Sequence, residues 1–234
     1  MKIILFLSLV LLIEAGYIRI NANMLKKAID NKDFYVIDTR EMETSVLGYL
    51  PNTIIIPRSN FTSWLSYVVP DYALIVVISD YQNYRSTLDY LKSTGKYKLY
   101  GYVLYEEICK YSYFNPIKVA YAENTKDSLN NIIGNKGSLI VDVRETSEFV
   151  ETGVIETSQL IPFSTFMKNY VNIPQNRKIY MLCKKGLRAV IAMTFAKRAG
   201  LTNNFFVLER GIEKTIEEGY PLVPFVEKIF KFDK

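Results

Sequence analysis

The apolar residues of this chain fall mostly in short runs that alternate with amphipathic stretches. The runs are three to five residues long and most are rich in Ile, Val and Leu, which is typical of buried strands. They lie at residues 34–38, 54–56, 74–78, 139–143, 159–161 and 179–182. Residues 24–31 and 128–134 place apolar side chains at helical spacing instead. Short apolar strands alternating with helices predict an α/β fold, with a mostly parallel sheet covered on both faces.

The pattern of strands and helices repeats at a nearly constant offset of 104 to 105 residues. The repeated residues in the first copy are Asn31, Lys32, Asp38, Arg40, Glu41, Pro57, Ser59, Phe61, Val103, Leu104 and Ile108. Their counterparts are Asn135, Lys136, Asp142, Arg144, Glu145, Pro162, Ser164, Phe166, Val207, Leu208 and Ile212. Such an offset indicates two copies of one fold. We therefore expect two tandem domains, residues 16–115 and 126–225, with a polar linker at residues 116–125 and a tail at residues 226–234.

The first residues have the pattern of an export signal. Met1-Lys2 is a basic start, and residues 3–13 form an apolar run, shorter than the roughly 20 residues that a membrane span needs. With Ala15 as the cleavage point, residues 1–15 are predicted to be a signal peptide. The mature protein would then be periplasmic, secreted or in the secretory pathway. The alternative is an uncleaved membrane anchor, whose apolar stretch would have to continue through Glu14 and Arg19.

The composition excludes several classes of site. Hydrophobic residues make up 49% of the chain and charged residues 23%, so the chain can bury a core and is not disordered. The net charge of +5 is spread along the sequence, which gives nucleic-acid binding little support. The chain has no histidine and two cysteines. Ser-His and Cys-His nucleophile pairs and Cys/His zinc sites are therefore excluded, and we expect no metal and no cofactor.

One loop between a predicted strand and a predicted helix combines features that favour an anion. Cys183 follows the strand at residues 179–182, and apolar residues at helical spacing begin at Ala189. The free N–H groups of a helix N-terminus attract negative charge, and Gly186 allows a turn with inward-facing amides. Lys184, Lys185 and Arg188 add positive charge. We therefore expect Cys183 to be a nucleophile with a pKa below its usual value of roughly 8.5; the alternative is a small buried hydrophobe.

This loop resembles the active-site loop of rhodanese-type sulfurtransferases, whose common form is C-x-x-G-x-R. Four residues separate Cys183 from Arg188, whereas the loop of cysteine phosphatases holds five, so the smaller loop suits a sulfur atom better than a phosphate. Other segments resemble rhodanese motifs in the same order: Val141-Asp142-Val143-Arg144, Glu148-Phe149, Gly153-Val154-Ile155, Val207-Leu208-Glu209-Arg210-Gly211-Ile212 and Gly219-Tyr220-Pro221-Leu222. The sequence departs from the family pattern at Val154 (usually His), Arg210 (usually Gly) and Thr215 (usually Trp).

The resemblance implies two tandem rhodanese-like domains and a sulfurtransferase that needs no cofactor. Cys183 would take a sulfane sulfur from thiosulfate or a persulfide and become a persulfide itself. A thiol, cyanide or a protein cysteine would then accept that sulfur. The resemblance also implies that Arg144 and Lys185 face the anionic end of the donor, and that Lys184 occupies a basic position of the same substrate-binding loop. Gly186, Leu187 and Arg188 complete the predicted substrate-binding loop, and Asp142 is expected to brace it.

The two copies differ at the loop. Aligning Arg85 with Arg188 places Asp80 opposite Cys183 and Asn83 opposite Gly186. A carboxylate cannot carry a persulfide, so we expect the first copy to be degenerate and structural. An aspartate nucleophile is the alternative, although no partner acid or metal ligand is evident around Asp80.

Cys109, in the closing segment of the first copy, is interpreted as a packing residue. A Cys109–Cys183 disulfide is its alternative in an oxidising compartment. For the whole chain, the alternative to an enzyme is a secreted binding or sulfur-carrier module without turnover.

Overall fold

The computed structural model of the protein describes residues 12–14 and 16–226. The predicted signal peptide lies outside the described residues except for residues 12–14, and the predicted tail lies outside them except for residue 226. Within the described part of the chain, no helix is long and apolar enough to cross a membrane.

The first sheet has six strands in the order β1-β2-β6-β5-β3-β4, and all neighbours are parallel except β1 and β2. The strands are β1 (Leu12–Glu14), β2 (Tyr17–Arg19), β3 (Phe34–Asp38), β4 (Ile54–Ile55), β5 (Leu74–Ser79) and β6 (Lys98–Leu104). The helices between them are α1 (Ala22–Asp30), α2 (Met42–Ser45), α3 (Arg58–Val68), α4 (Tyr84–Thr94) and α5 (Tyr105–Ile108). These elements are called the N-terminal half, and a 3₁₀ turn (Ser112–Phe114) follows them.

The second sheet has five parallel strands in the order β7-β11-β10-β8-β9. They are β7 (Tyr121–Ala122), β8 (Ser138–Asp142), β9 (Gln159–Leu160), β10 (Lys178–Leu182) and β11 (Phe205–Leu208). The helices are α6 (Lys126–Gly134), α7 (Thr146–Thr152), α8 (Phe166–Asn169), α9 (Leu187–Arg198) and α10 (Gly211–Glu217), with 3₁₀ turns at Phe163–Thr165 and Tyr170–Asn172. These elements are called the C-terminal half.

The predicted α/β class is confirmed, since two mostly parallel sheets are each flanked by helices. Strands β2-β6-β5-β3-β4 and β7-β11-β10-β8-β9 follow the same spatial order, as the repeat predicts. The predicted strands at residues 34–38 and 139–143 belong to different sheets, so one continuous sheet is excluded for this pair.

Alternation along the strands divides the core into three apolar clusters. In β5, Ile75 and Val77 point into a cluster shared by both halves, while Val76 and Ile78 point into a cluster of the N-terminal half alone. A third cluster covers the opposite face of the second sheet. A period of two is expected for strands that are buried on both faces.

Helix α9 lies inside the shared cluster and joins the two halves. Its residues 189–196 are all buried, as expected for a helix with packing partners on every side. Thr194 Oγ1 accepts a hydrogen bond of 3.2 Å from the backbone N–H of Ile55 in β4. The helix that starts at the cysteine loop is therefore fixed by both sheets.

Candidate active site

The cysteine loop has the geometry that its sequence predicts. Cys183 follows β10, and α9 begins at Leu187. Gly186 has φ +105°, a left-handed conformation that strains residues with a side chain. Its N–H donates to Cys183 Sγ over 3.1 Å. The sulfur therefore lies at the N-terminus of a 12-residue helix, with a backbone donor directed at it.

The predicted lowering of the Cys183 pKa is wrong in direction. Cys183 is only 1% exposed, and this burial raises the pKa of its thiol. The N–H groups of Ala189, Gly186 and Lys185 and the charge of Arg188 lower the pKa, but burial outweighs them. The attracting groups are present as expected, and removal of the sulfur from water is the larger effect.

The turn after β11 holds the cysteine loop from the other side. Ile212 N–H donates to the Cys183 carbonyl over 2.8 Å. Gly211 has φ +58°, and a Cβ there would lie 2.2 Å from that carbonyl oxygen. A residue with a side chain at position 211 would therefore displace the loop.

Asn124 fixes this turn and had no signal in the sequence. It is buried, and its Nδ2 donates to the carbonyls of Glu209 and Gly211 over 3.1 and 2.7 Å. Its Oδ1 accepts from Thr215 Oγ1 over 3.0 Å. Arg210, where the family pattern has Gly, is left-handed with φ +53°, a conformation that Gly adopts at lower cost.

The predicted cations occupy different positions around the sulfur. Arg188 is engaged by Glu148, with Nη1–Oε2 and Nη2–Oε1 distances of 2.5 and 2.8 Å. Lys184 and Lys185 are exposed; Lys185 Nζ lies 3.8 Å from a carboxylate oxygen of Glu213. The two lysines therefore provide the positive charge at the rim, whereas the charge of Arg188 is largely neutralised.

The expectation that Arg144 faces the donor is corrected. Arg144 is fully buried and paired with Asp142, with an Nη2–Oδ2 distance of 2.7 Å. Its other donors reach Thr152 Oγ1 over 2.6 Å and the Gly153 carbonyl over 2.9 Å. All three guanidinium nitrogens therefore donate hydrogen bonds within the C-terminal half, where they connect the end of β8 to α7 and to the residue that follows α7. Asp142 is thus a brace paired with an arginine, as expected.

A pocket of about 660 Å³ opens above Cys183 and is lined by both halves. It includes the predicted residues Cys183, Lys184, Lys185, Leu187 and Arg188. Sequence reasoning missed the rest of the lining: Trp64, Tyr67, Glu145, Thr146, Ser147, Phe163 and Ser164.

The missed aromatic residues form one wall of this pocket. Trp64 and Tyr67, both on α3, make edge-to-face contacts with Phe163, with ring-centroid distances of 5.9 and 5.8 Å. Phe163 is buried, while Trp64 is half-buried and Tyr67 is exposed. The wall brings together residues about 100 positions apart in the chain, so no local pattern could identify it.

The corresponding loop of the N-terminal half contains its own anion. Asp80 Oδ1 accepts from the N–H groups of Gln82 and Asn83 over 3.0 and 2.8 Å. Both Asp80 oxygens also accept from Asn83 Nδ2, each over 3.0 Å. Asn83 has φ −106° and is right-handed, unlike Gly186. The carboxylate is therefore satisfied by its own loop.

The two cysteines are free thiols, so the alternative of a Cys109–Cys183 disulfide is wrong in this structure. The interpretation of Cys109 as a packing residue is also wrong, because Cys109 is exposed. Among the described residues, no cluster of three or more cysteine or carboxylate side chains could hold a metal ion.

One curated protein provides a sequence relative. It is a tRNA uridine(34) hydroxylase of Buchnera aphidicola subsp. Baizongia pistaciae, 30% identical over 131 residues, which cover 52% of this chain and 41% of the relative. The chain thus spans about two fifths of the length of the curated relative that it matches.

Two solved structures illustrate the structural similarity. A rhodanese-related protein of Thermoplasma volcanium is 31% identical and covers 44% of this chain and 97% of its own, with a TM-score of 0.39. A thiosulfate sulfurtransferase of Pseudomonas aeruginosa is 14% identical and covers 86% of this chain and 42% of its own, with a TM-score of 0.38.

The model of the rhodanese-like domain family matches residues 125–218. This segment runs from the N-cap of α6 through the end of α10 and contains the cysteine loop, Arg144 and Glu148. The C-terminal half of the chain contains a rhodanese-like domain.

Proposed function

We propose that the protein is a sulfurtransferase that carries a sulfane sulfur on Cys183. The observation that carries the proposal is the position of Cys183 Sγ at the base of a pocket, with the Gly186 N–H directed at it over 3.1 Å. The amides that favour negative charge on Sγ are placed to stabilise a persulfide as well. Thiol, thiolate and persulfide are thus the states that this cradle can hold.

With thiosulfate as donor, the transfer has two balanced steps. The thiol proton leaves to solvent, and Sγ attacks the outer sulfur of thiosulfate. A Cys183–S bond forms, the S–S bond of thiosulfate breaks, and its electron pair leaves with sulfite. A thiolate, cyanide or protein cysteine then attacks the outer sulfur of the persulfide, and the electron pair returns to Sγ. Two nucleophilic substitutions suffice, and neither requires a histidine.

Lys184 and Lys185 are the groups that would attract an anionic donor. Both are exposed at the rim, where charge acts over several ångströms and is screened by salt. Because Arg188 is occupied by Glu148, its role is to position α9 and the loop. Arg144 has no part in donor binding because it lies outside the pocket.

The aromatic wall favours an acceptor larger than cyanide. A pocket of about 660 Å³ lies within the range of roughly 300 to 1,000 Å³ used for organic ligands. Trp64, Tyr67 and Phe163 offer apolar surface beside the sulfur. We infer that an organic thiol, or a cysteine on a protein segment, accepts the sulfur in the cell.

We also propose that residues 16–115 and 126–225 are tandem rhodanese-like domains, the first without sulfur chemistry. The shared strand order and the repeated Asp-x-Arg braces support this. Residues 1–15 are proposed to be a signal peptide that directs export, and its cleavage would remove β1 from the edge of the first sheet. N-terminal sequencing of the mature protein tests this: a first residue at position 16 is expected, and Met1 in a membrane fraction contradicts it.

The test of the enzyme proposal is intact-mass analysis after treatment with thiosulfate. Wild-type protein should gain the mass of one sulfur atom and lose it on addition of a thiol or cyanide. Cys109→Ser should behave as wild type, and Cys183→Ser should gain nothing. Direct detection of sulfur is needed because the curated relative is named as a hydroxylase.

Failure to load from any sulfane donor would contradict the enzyme and favour a binding module. Loading without release to any acceptor would favour a sulfur carrier. The single tryptophan, Trp64, lies in the pocket wall. Quenching of its fluorescence therefore reports ligand binding independently of turnover.

A further inference from the structure

A second cavity lies between the two halves, at the end of α9 opposite to the cysteine loop. Its volume is about 260 Å³. Lys32 and Tyr35 of the N-terminal half and Tyr170, Phe195 and Arg198 of the C-terminal half line it. Since α9 has 12 residues and a helix rises about 1.5 Å per residue, the two cavities are separated by roughly the length of this helix.

Arg198 is a buried cation without a carboxylate partner. It is 7% exposed. Its Nη2 donates to the backbone carbonyls of Asn31, over 3.0 Å, and Phe34. Its Nε and Nη1 donate to no other described residue, and no described carboxylate lies within 4.0 Å.

The two other buried arginines in the described part of the chain each have a carboxylate as counter-charge. Arg40 and Arg144 are each paired with the aspartate two positions before them. An arginine that is buried without a counter-charge is unfavourable unless something else supplies negative charge. Two carbonyl oxygens satisfy one nitrogen of Arg198 and leave the positive charge in place.

Lys32 brings a second positive charge to the same cavity. It is exposed, and its Nζ lies beside Gly200 at the end of α9. The carbonyl end of a helix carries roughly half a negative charge and opposes an anion. Two full positive charges exceed that opposition, so the cavity favours an anion on balance.

The remaining lining limits the size and type of the anion. Burial raises the pKa of Tyr35 although the charge of Arg198 lowers it, so this phenol stays protonated and is able to donate a hydrogen bond. The volume is below the range typical of drug-sized ligands. A tetrahedral oxyanion with several acceptor oxygens matches two cations and nearby phenols best.

We propose that this cavity binds a small inorganic oxyanion of the phosphate or sulfate class between Arg198 and Lys32. The anion compensates the buried guanidinium and links the two halves through side chains of each. This site is separate from the cysteine loop, so the proposal stands or falls independently of sulfur transfer.

The experiment is equilibrium dialysis of the full chain with labelled inorganic phosphate, at constant ionic strength set with sodium chloride. Lys32→Met is the main variant, because Lys32 is exposed and its removal leaves the Arg198–carbonyl contacts intact. Its phosphate affinity should fall about tenfold, as for loss of one hydrogen bond between charged groups. Arg198→Gln should abolish binding as well. It is the less direct test, because this variant also loses the hydrogen bonds from Arg198 to the carbonyls of Asn31 and Phe34 that join the two halves.

Lys136→Met is the matched control, because Lys136 is the exposed counterpart of Lys32 in the C-terminal half and lines neither this cavity nor the Cys183 pocket. Its phosphate affinity should equal that of wild type. If wild type does not bind phosphate, or if Lys32→Met binds as well as wild type, the proposal is overturned. If Lys136→Met loses as much affinity as Lys32→Met, the loss reflects net charge rather than this cavity and the proposal is likewise overturned.

Discussion

The loops at Cys183 and Asp80 are the same strand-to-helix turn with opposite contents. In both, a side chain at the end of a central strand lies beneath the backbone N–H groups that precede a helix. In the N-terminal half, the Asp80 carboxylate accepts two of those N–H groups itself. In the C-terminal half, Gly186 donates to a thiol sulfur below an open pocket. The first loop therefore contains its own anion, whereas the second directs a backbone N–H at a sulfur that lines a pocket.

What the halves share is structural. Asp38–Arg40 and Asp142–Arg144 form equivalent buried pairs, with Nη2–Oδ2 distances of 2.6 and 2.7 Å. In each pair the arginine also donates to a glycine carbonyl, Gly48 or Gly153.

A second shared contact fixes the start of the segment after β4 or β9. Glu41 accepts from the N–H and hydroxyl of Ser59 over 3.1 and 2.7 Å. Glu145 accepts from Ser164 in the same way over 3.0 and 2.7 Å. The residues that recur in both halves therefore stabilise the fold. The halves differ at the residue that follows the central strand, which is Asp80 in one and Cys183 in the other.

The largest effect expected from this comparison is on sulfur loading. Cys183→Ser should abolish the persulfide, because serine cannot hold a sulfane sulfur. Asp80→Ala should load at the wild-type rate, because its carboxylate faces its own loop and lies outside the lining of the cysteine pocket. Intact mass and a sulfite-release assay measure both variants. Equal, severe losses would show that the N-terminal half takes part in the chemistry.

The second expected effect is on stability. Asp142→Ala should lower the free energy of unfolding by about 3–5 kcal/mol, because it leaves a fully buried guanidinium without its counter-charge. Asp38→Ala should cost less, since Arg40 retains slight exposure and stacks on Tyr105, with its guanidinium carbon 3.3 Å from the ring centroid. Urea unfolding measures both. A larger loss of unfolding free energy for Asp38→Ala would show that the Asp38–Arg40 pair, and not the Asp142–Arg144 pair, contributes more to stability.

The third prediction concerns pH. Burial raises the pKa of Cys183, so its thiolate should form above the usual range of roughly 8.5. The folded state then favours the protonated thiol. Its contribution to stability is complete below the unfolded pKa and is lost as pH rises above that value. The thiolate absorbance difference between Cys109→Ser and Cys109→Ser/Cys183→Ser should therefore have its midpoint above ~8.5.

A midpoint below ~8.5 would mean that the amides and Arg188 outweigh burial. The same titration in urea provides the unfolded reference. Sulfur loading should rise with pH below the midpoint, because the thiolate is the attacking species.

The strands and the cysteine loop were predictable from the sequence because they depend on local pattern. Runs such as residues 74–78 are apolar enough to be buried in any α/β arrangement, and the turn around Gly186 follows from residue types close in sequence. Other features depend on what surrounds a residue. The spacing Asp142-x-Arg144 fits both a brace and a donor site, and only the burial of Arg144 decides between them.

The pocket wall and the direction of the Cys183 pKa were out of reach for the same reason. Trp64 and Tyr67 meet Phe163 through the packing of one half on the other. The charges near Cys183 can be counted from the sequence, but the depth at which its sulfur is buried cannot. Long-range packing therefore decides both the direction of the Cys183 pKa shift and the composition of the pocket wall.

The smallest effect is predicted for placing a cysteine in the N-terminal loop. In a Cys183→Ser background, Asp80→Cys should not load sulfur from thiosulfate, because Asn83 is right-handed and keeps its side chain where the carboxylate had been bound. The neighbouring basic pair is also missing, since Tyr81 and Gln82 stand where the other loop has Lys184 and Lys185. Adding Asn83→Gly permits the left-handed turn but supplies no rim charge. Even this double variant, made with Cys183→Ser, should load far more slowly than wild type. Intact mass decides the point: rapid loading by Asp80→Cys would mean that a strand-end cysteine suffices, and that the glycine turn, the lysines and the pocket contribute little.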